Sequence, residues 1–274
     1  MPNRPAFASM DPRNRANRAN RAASVPETVS SHESVSMNDS GAEQLAQLLI
    51  DGRWCDGVDT FAVLDKFSGA VVGRGQRASR QQVNAAVTAA RRSFDAVKLD
   101  PQQRYRILMK AAGLIEARKD LLARTIVAEA GFPYVDADNE VARAAQTFIV
   151  SAEEGKRLVG EVVPIDAAPG NAHRMAFTLR VPRGVVCGIT SFNSPLNMVA
   201  HKVAPALASG NTVVIKPPEA APLSATHLAR ILVDAGLPPG HLNLVHGAGS
   251  EVGNWLVANP DIAFYSFTGS TPVG

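Results

Sequence analysis

The chemistry-bearing residues of this sequence stand in two short polar clusters, each directly after an apolar run. Residues 184–190, GVVCGIT, lead into Ser191-Phe192-Asn193-Ser194, and the run Val213, Val214, Ile215 leads into Lys216, Pro217, Pro218 and Glu219. The first cluster offers uncharged hydroxyl and amide groups. The second offers an ammonium and a carboxylate, so the pair is suited to hydrogen-bonding a polar ligand. The two cysteines are poor candidates for nucleophiles. Cys187 lies inside the first apolar run, where desolvation raises a thiol pKa and suppresses the thiolate, and Cys55 has no adjacent base. Two cysteines also make neither a disulfide framework nor a metal-ligand spacing, which fits a reducing, cytoplasmic setting without a metal.

A strand–helix–strand unit must position the clusters. Pro195 opens the helix at no cost in hydrogen bonding, because the first helical N–H groups have no partner anyway, and Gly210 closes it. In open α/β sheets ligands sit beyond the carboxyl ends of the strands, so both clusters should face one crevice. The winding continues downstream. A helix over residues 221–235 stops at Gly236 with Pro238 and Pro239 beyond it, and a strand over 242–245 runs into Gly247-Ala248-Gly249-Ser250. Ser250 is placed to cap the next helix. A fourth strand, 262–267, enters Thr268-Gly269-Ser270-Thr271, and the helix expected next is present only for its first turn.

Upstream, residues 48–72 alternate short apolar runs with Asp-Gly and Ser-Gly turns, the pattern of small strands. Helical spacing follows. Ser79 and Gln82 form a capping-box pattern ahead of Val83, Val87, Ala90, Phe94 and Val97; Asp100 and Pro101 open a second helix that buries Ile107, Leu108, Ala111 and Leu114. Two more helices are expected near 121–129 and 138–152, all as scaffold. Between about 160 and 182, EVVPI and MAFTLRV flank a turn-rich segment and predict a projecting β-hairpin. Such a hairpin either stands in solvent or pairs across a subunit interface.

At 274 residues and 46% hydrophobic, the chain is long enough for a full core. Its net charge of +3 resides in residues 1–30, where five arginines face only Asp11 and Glu27, so the body is neutral and shows no nucleic-acid footprint. Residues 1–42, with the repeat RNRANRANRA, have too little apolar surface to fold and are expected to be a disordered tail. The tail reads either as an organelle transit peptide or as the product of a misassigned start, with Met37 as the alternative beginning. No apolar run is long enough to span a bilayer.

The phrases SFNSPL, HKVAPALASGNTVVIKPPE, DAGLPPGHLNLVHG and SFTGSTPVG, in this order and spacing, resemble the cofactor-binding half of the aldehyde dehydrogenase superfamily, over residues 48–274. The resemblance implies an α/β fold, an open parallel Rossmann-like sheet with an N-terminal helical part and the projecting hairpin, in one domain spanning 43–274. It also implies NAD(P)-dependent oxidation of a small aldehyde to the acid, in a homo-oligomer, with a catalytic cysteine adding to the carbonyl. Asn193 matches the family's oxyanion asparagine, whose amide donates to the oxygen as it gains charge. An alternative role for it is capping the following helix. Lys216 and Glu219 match the pair that holds the adenosine ribose; Glu219 would repel a 2′-phosphate and Lys216 could accept one, favouring NAD with NADP possible. Thr190, Ser191 and Phe192 would line the cofactor channel, with Gly249, Phe267, Gly269, Ser270 and Val273 completing the cofactor site. Lys202 matches a lysine frequent on that helix, against the alternative of an ordinary solvated lysine.

The family's glutamate base and cysteine nucleophile lie downstream of FTGST, so the 274 residues are expected not to turn over aldehydes alone. Two readings follow: an aldehyde dehydrogenase whose activity belongs to a longer protein, or an inactive nucleotide-binding fragment that associates with intact subunits. The wording FNSPLNMVAHK is similar to branches acting on lactaldehyde, phosphonoacetaldehyde or glyceraldehyde 3-phosphate.

Overall fold

The structure, a computed structural model, describes residues 44–274, so the expectations for the tail lie outside the described residues. Five short strands come first: β1 (Gln44–Ala46), β2 (Leu48–Ile50), β3 (Arg53–Cys55), β4 (Asp59–Leu64) and β5 (Val71–Arg77). Asp51 and Gly52, both at positive φ, make the two-residue turn between β2 and β3, as an Asp-Gly pair should. Helices α1 (Arg80–Ala96) and α2 (Pro101–Ala117) carry full capping boxes, Ser79 with Gln82 and Asp100 with Gln103. Val83, Val87 and Ala90 are buried as expected, but Val97 is past the helix end and exposed. The apolar stripe therefore stops a turn early. Helices α3 (Lys119–Ala130) and α4 (Tyr134–Gly155) complete this part.

The hairpin forms from β6 (Val162–Val163) and β7 (Ala176–Phe177), paired antiparallel, with Val162 and Phe177 both turned to solvent. The alternating half follows: β8 (Val185–Ile189), α5 (Pro195–Ala208), β9 (Thr212–Lys216), α6 (Leu223–Asp234), β10 (Leu242–Leu244), α7 (Asn254–Val257) and β11 (Ile262–Phe267). The helix expected with a Ser250 cap differs: Gly249–Gly253 is a π-helical turn preceded by Ala248, with no side-chain cap. Gly247 explains the tight entry, since its φ of 137° favours glycine and an added Cβ would lie 2.6 Å from Val252 Cγ2.

The main sheet runs β11-β8-β9-β10-β2-β3, parallel across the first four strands and antiparallel at β2 and β3. The expected parallel sheet is thus extended by N-terminal strands into a mixed one. Side chains alternate between its two faces, so Val185, Cys187 and Val214 pack with Val83 and Val87 of α1, while Val186, Val213 and Ile215 pack with α5 and α6. From β8 the chain moves outward to β9 and β10, then returns to place β11 on β8's other side. That reversal puts the switch-point crevice at the carboxyl ends of β8 and β11.

Candidate active site

Backbone bonds beyond the strand ends draw the polar clusters together. Thr190 N donates to Lys216 O at 3.2 Å and Thr268 N donates to Ile189 O at 3.0 Å, so the loops after β8, β9 and β11 begin side by side. Across them, Lys202 Nζ of α5 donates to Thr268 Oγ1 at 2.7 Å and lies 3.4 Å from Ser266 Oγ. Lys202 is buried, with its pKa lowered by desolvation, so it is no solvated helical lysine. Gly188 makes room for it: an added Cβ would lie 3.3 Å from Lys202 Cβ and 2.5 Å from Ile215 Cδ1.

Asn193 does not cap α5. The carboxylate of Glu140, buried on α4, accepts from Leu196 N at 2.9 Å and Asn197 N at 3.0 Å, and so takes the capping role. The side-chain oxygen of Asn193 instead accepts from the Ser191 hydroxyl. Its amide nitrogen is left without a partner among the described residues. Asn193 sits on the wall of a cavity of about 730 Å³, together with Phe132, Asp136, Glu140 and Arg143.

The second cluster divides. Lys216 is buried, its Nζ donating to Pro217 O at 3.1 Å, and desolvation lowers its pKa. Glu219 pairs with Arg77, not with Lys216, at 3.2 Å from Nε, and lines a second cavity of about 600 Å³ with Asp59, Arg77, Arg80, Ala248, Ser250 and Trp255. Gly249 lies between two of these wall residues, and a Cβ there would meet nothing within 4 Å. At the end of β11, the Phe267 ring packs over Gly269, where a Cβ would come within 2.4 Å, and Ser270 O accepts from Val273 N and Gly274 N in a turn. Phe192 and Val273 are exposed and line neither cavity.

The model of the aldehyde dehydrogenase family matches residues 54–274. The chain belongs to the aldehyde dehydrogenase family. It is 44% identical over 229 residues to 3-sulfolactaldehyde dehydrogenase of Priestia aryabhattai, covering 83% of this chain and 47% of that protein. Among solved structures it is similar to NADP-dependent glyceraldehyde-3-phosphate dehydrogenase from Bacillus halodurans complexed with NADP, at 35% identity and TM-score 0.81, covering 84% of this chain and 49% of that one. The NAD+ complex of aldehyde dehydrogenase from Bacillus cereus matches at 31% identity and TM-score 0.80, covering 85% and 48%. The chain thus spans about half the length of the relatives it matches.

Within this aldehyde dehydrogenase half, Thr190 and Lys216 each keep hydrogen-bonding capacity of the kind a dinucleotide uses. Thr190 Oγ1 is a buried oxygen at the carboxyl end of β8 with no hydrogen-bond partner among the described residues. Lys216 has three donors and uses one on Pro217. Burial pushes the Cys187 thiol up to about 12, against a weaker opposing effect of Lys216, and it also raises that of Cys55. Neither is a ready thiolate.

Arg77, Arg143, Glu129 and Glu140 were not singled out by the sequence. The two glutamates sit among apolar helix positions, and each serves a helix more than fifty residues away: Glu129 accepts from Leu223 N at 2.7 Å, Ser224 N at 2.8 Å and the Ser224 hydroxyl at the start of α6. Their signal was a carboxylate on the buried stripe of α3 or α4, which needs a partner.

Proposed function

We propose that residues 43–274 form the cofactor-binding domain of an NAD(P)-dependent aldehyde dehydrogenase that oxidises a small, anionic aldehyde to the acid. The observation that carries this is the Asn193 amide, freed of capping by Glu140 and oriented by Ser191 at a cavity that also holds the Arg143 guanidinium. An uncharged donor stabilises oxygen as it becomes an alkoxide, without quenching a nearby thiolate. Arg143 is the cationic residue of that wall, and the names of two relatives, 3-sulfolactaldehyde and glyceraldehyde-3-phosphate dehydrogenase, carry a sulfonate and a phosphate. A guanidinium holds either group through paired N–H donors.

The dinucleotide, when bound, supplies the hydride acceptor. Lys216 and Glu219 would hold the adenosine ribose; Thr190, Ser191, Phe192, Gly249, Phe267, Gly269, Ser270 and Val273 would complete its channel. Lys202, on α5, bonds Thr268 and so ties that helix to the loop after β11. The exposed hairpin would pair with a second subunit. The reading is tested by calorimetry of this chain with NAD and NADP, and by cofactor reduction in a protein carrying the family's other half. There, Arg143→Ala is expected to raise KM about ten-fold or more for sulfonated and phosphorylated aldehydes and to leave neutral ones nearly unchanged. An equal effect on both classes would remove the anionic substrate from the reading, and no heat with either dinucleotide from folded chain would remove the cofactor site.

A further inference from the structure

We propose that Glu129, buried on α3, positions the segment 217–222 between β9 and α6 for the dinucleotide, and that proton uptake at its carboxylate loosens the segment and lowers cofactor affinity. The inference rests on the reading above that Lys216 and Glu219 hold the adenosine ribose.

Three of the six residues in this segment, Pro217, Pro218 and Pro222, lack an N–H, so few backbone bonds can form within it. Ala221 N donates to Pro218 O at 3.3 Å. The position of the segment is set from outside. On one side Lys66, in the turn after β4, donates from Nζ to Ala220 O at 3.0 Å and to Leu64 O at 2.8 Å. On the other, Glu129 Oε2 accepts from Leu223 N at 2.7 Å, and Oε1 accepts from Ser224 N at 2.8 Å and from the Ser224 hydroxyl. These bonds fix the first turn of α6, and Glu219 stands only four residues before Leu223. Three donors thus converge on two carboxylate oxygens. The anion serves all of them, whereas the acid places an O–H donor among donors and weakens at least one bond. Burial raises the Glu129 pKa from 4.5 to about 7, against the bonds from Ser224 and Leu223 and the charge of Lys66, the charged group that faces it. Both forms are therefore populated at neutral pH. A ligand that needs the segment in place binds the anionic form better, so its affinity falls as pH drops through about 7.

The test is calorimetric titration of the chain with NAD from about pH 5.5 to 8.5, each variant first checked for cooperative thermal unfolding. NAD carries no group that titrates in that range, and His227 and His246 stay neutral in the fold. Wild-type affinity is expected to be level at the alkaline end and to weaken about three-fold or more, along a one-proton curve, towards the acid end. Glu129→Gln cannot take up the proton and should give a level profile at the weaker affinity. Lys66→Met, at an exposed position, keeps the test open should the glutamine variant not fold. It removes a charge that favours the anion and should move the midpoint of the curve upward. Arg118→Gln breaks the 2.6 Å pair with Asp234 at the far end of α6 and should leave the curve unchanged. A level wild-type profile, a curve that persists in Glu129→Gln, or a midpoint unmoved by Lys66→Met would overturn the proposal and leave the cofactor site standing. A curve altered as much by Arg118→Gln would overturn it too, reducing Glu129 to a cap that only stabilises α6. No heat at any pH from folded wild-type chain would overturn the cofactor reading itself, and the proposal with it.

Discussion

The Ser191 hydroxyl donates to the side-chain oxygen of Asn193, and so fixes which end of that amide remains available at the cavity. In a protein carrying the family's other half, Asn193→Ala is expected to slow acylation by about 2.7 to 4 kcal/mol while NAD binding persists. Ser191→Ala leaves the donor in place but free to rotate, so its effect should be smaller and of the same kind. Single-turnover formation of NADH reads both. A larger loss for Ser191→Ala than for Asn193→Ala would contradict the orientation role.

Glu140→Ala leaves the N–H groups of Leu196 and Asn197 buried without an acceptor. A cost of about 1 to 3 kcal/mol in thermal or urea unfolding is expected. Glu140→Gln keeps one acceptor oxygen and should recover part of it. Unchanged stability in the alanine variant would show that α5 does not depend on this cap.

Three buried groups with large shifts shape the pH dependence of stability, and burial lowers the pKa of a further histidine, His241, in the same sense as those of His246 and His227. Burial lowers the pKa of His246 from 6.5 to about 3 and that of His227 to about 4, so both stay neutral in the fold and take up protons when it opens. Their contribution is lost as pH falls below 6.5. Glu129 acts in the opposite sense. Burial raises its pKa from 4.5 to about 7, outweighing its hydrogen bonds from Ser224 and Leu223, so its contribution is present below 4.5 and lost as pH rises towards 7. Two histidines outweigh one glutamate, and stability should climb between about pH 5 and 6. Glu129→Gln should steepen that climb by about 1.4 kcal/mol per pH unit, one proton's worth. An unchanged or shallower slope in urea titrations would refute the assignment.

Cys187 faces α1 within the sheet core and should resist thiol reagents in the folded chain, reacting only on denaturation. Cys55, half-buried, should react first. Cofactor reduction by this chain, abolished by Cys187→Ser, would show that the nucleophile had been misplaced.

The hairpin exposes Val162, Met175, Phe177, Leu179 and Val181 together, and the outer strand β11 exposes Phe264 and Phe267. Association of the chain at micromolar concentration is expected, reduced by Phe177→Ser. Light scattering from a monodisperse monomer would contradict it.

The sequence by itself determined most of the elements and their order, because their causes are local; the π-helical turn at Gly249–Gly253, expected as a helix capped by Ser250, was the exception. Pro195 and Gly210 delimit α5, Ser79 with Gln82 and Asp100 with Gln103 cap α1 and α2, and apolar runs of five residues make the buried strands. Four ordered motifs also carried the family and the cluster residues. Only the tertiary structure decided partners. That Glu140 relieves Asn193 of capping, that Glu219 pairs with Arg77 142 residues away, and that Lys202 reaches Thr268 all depend on groups brought together by folding. Helix caps and strand periods are written within a few residues of where they act, whereas burying a charge obliges the fold to find its partner wherever the chain returns.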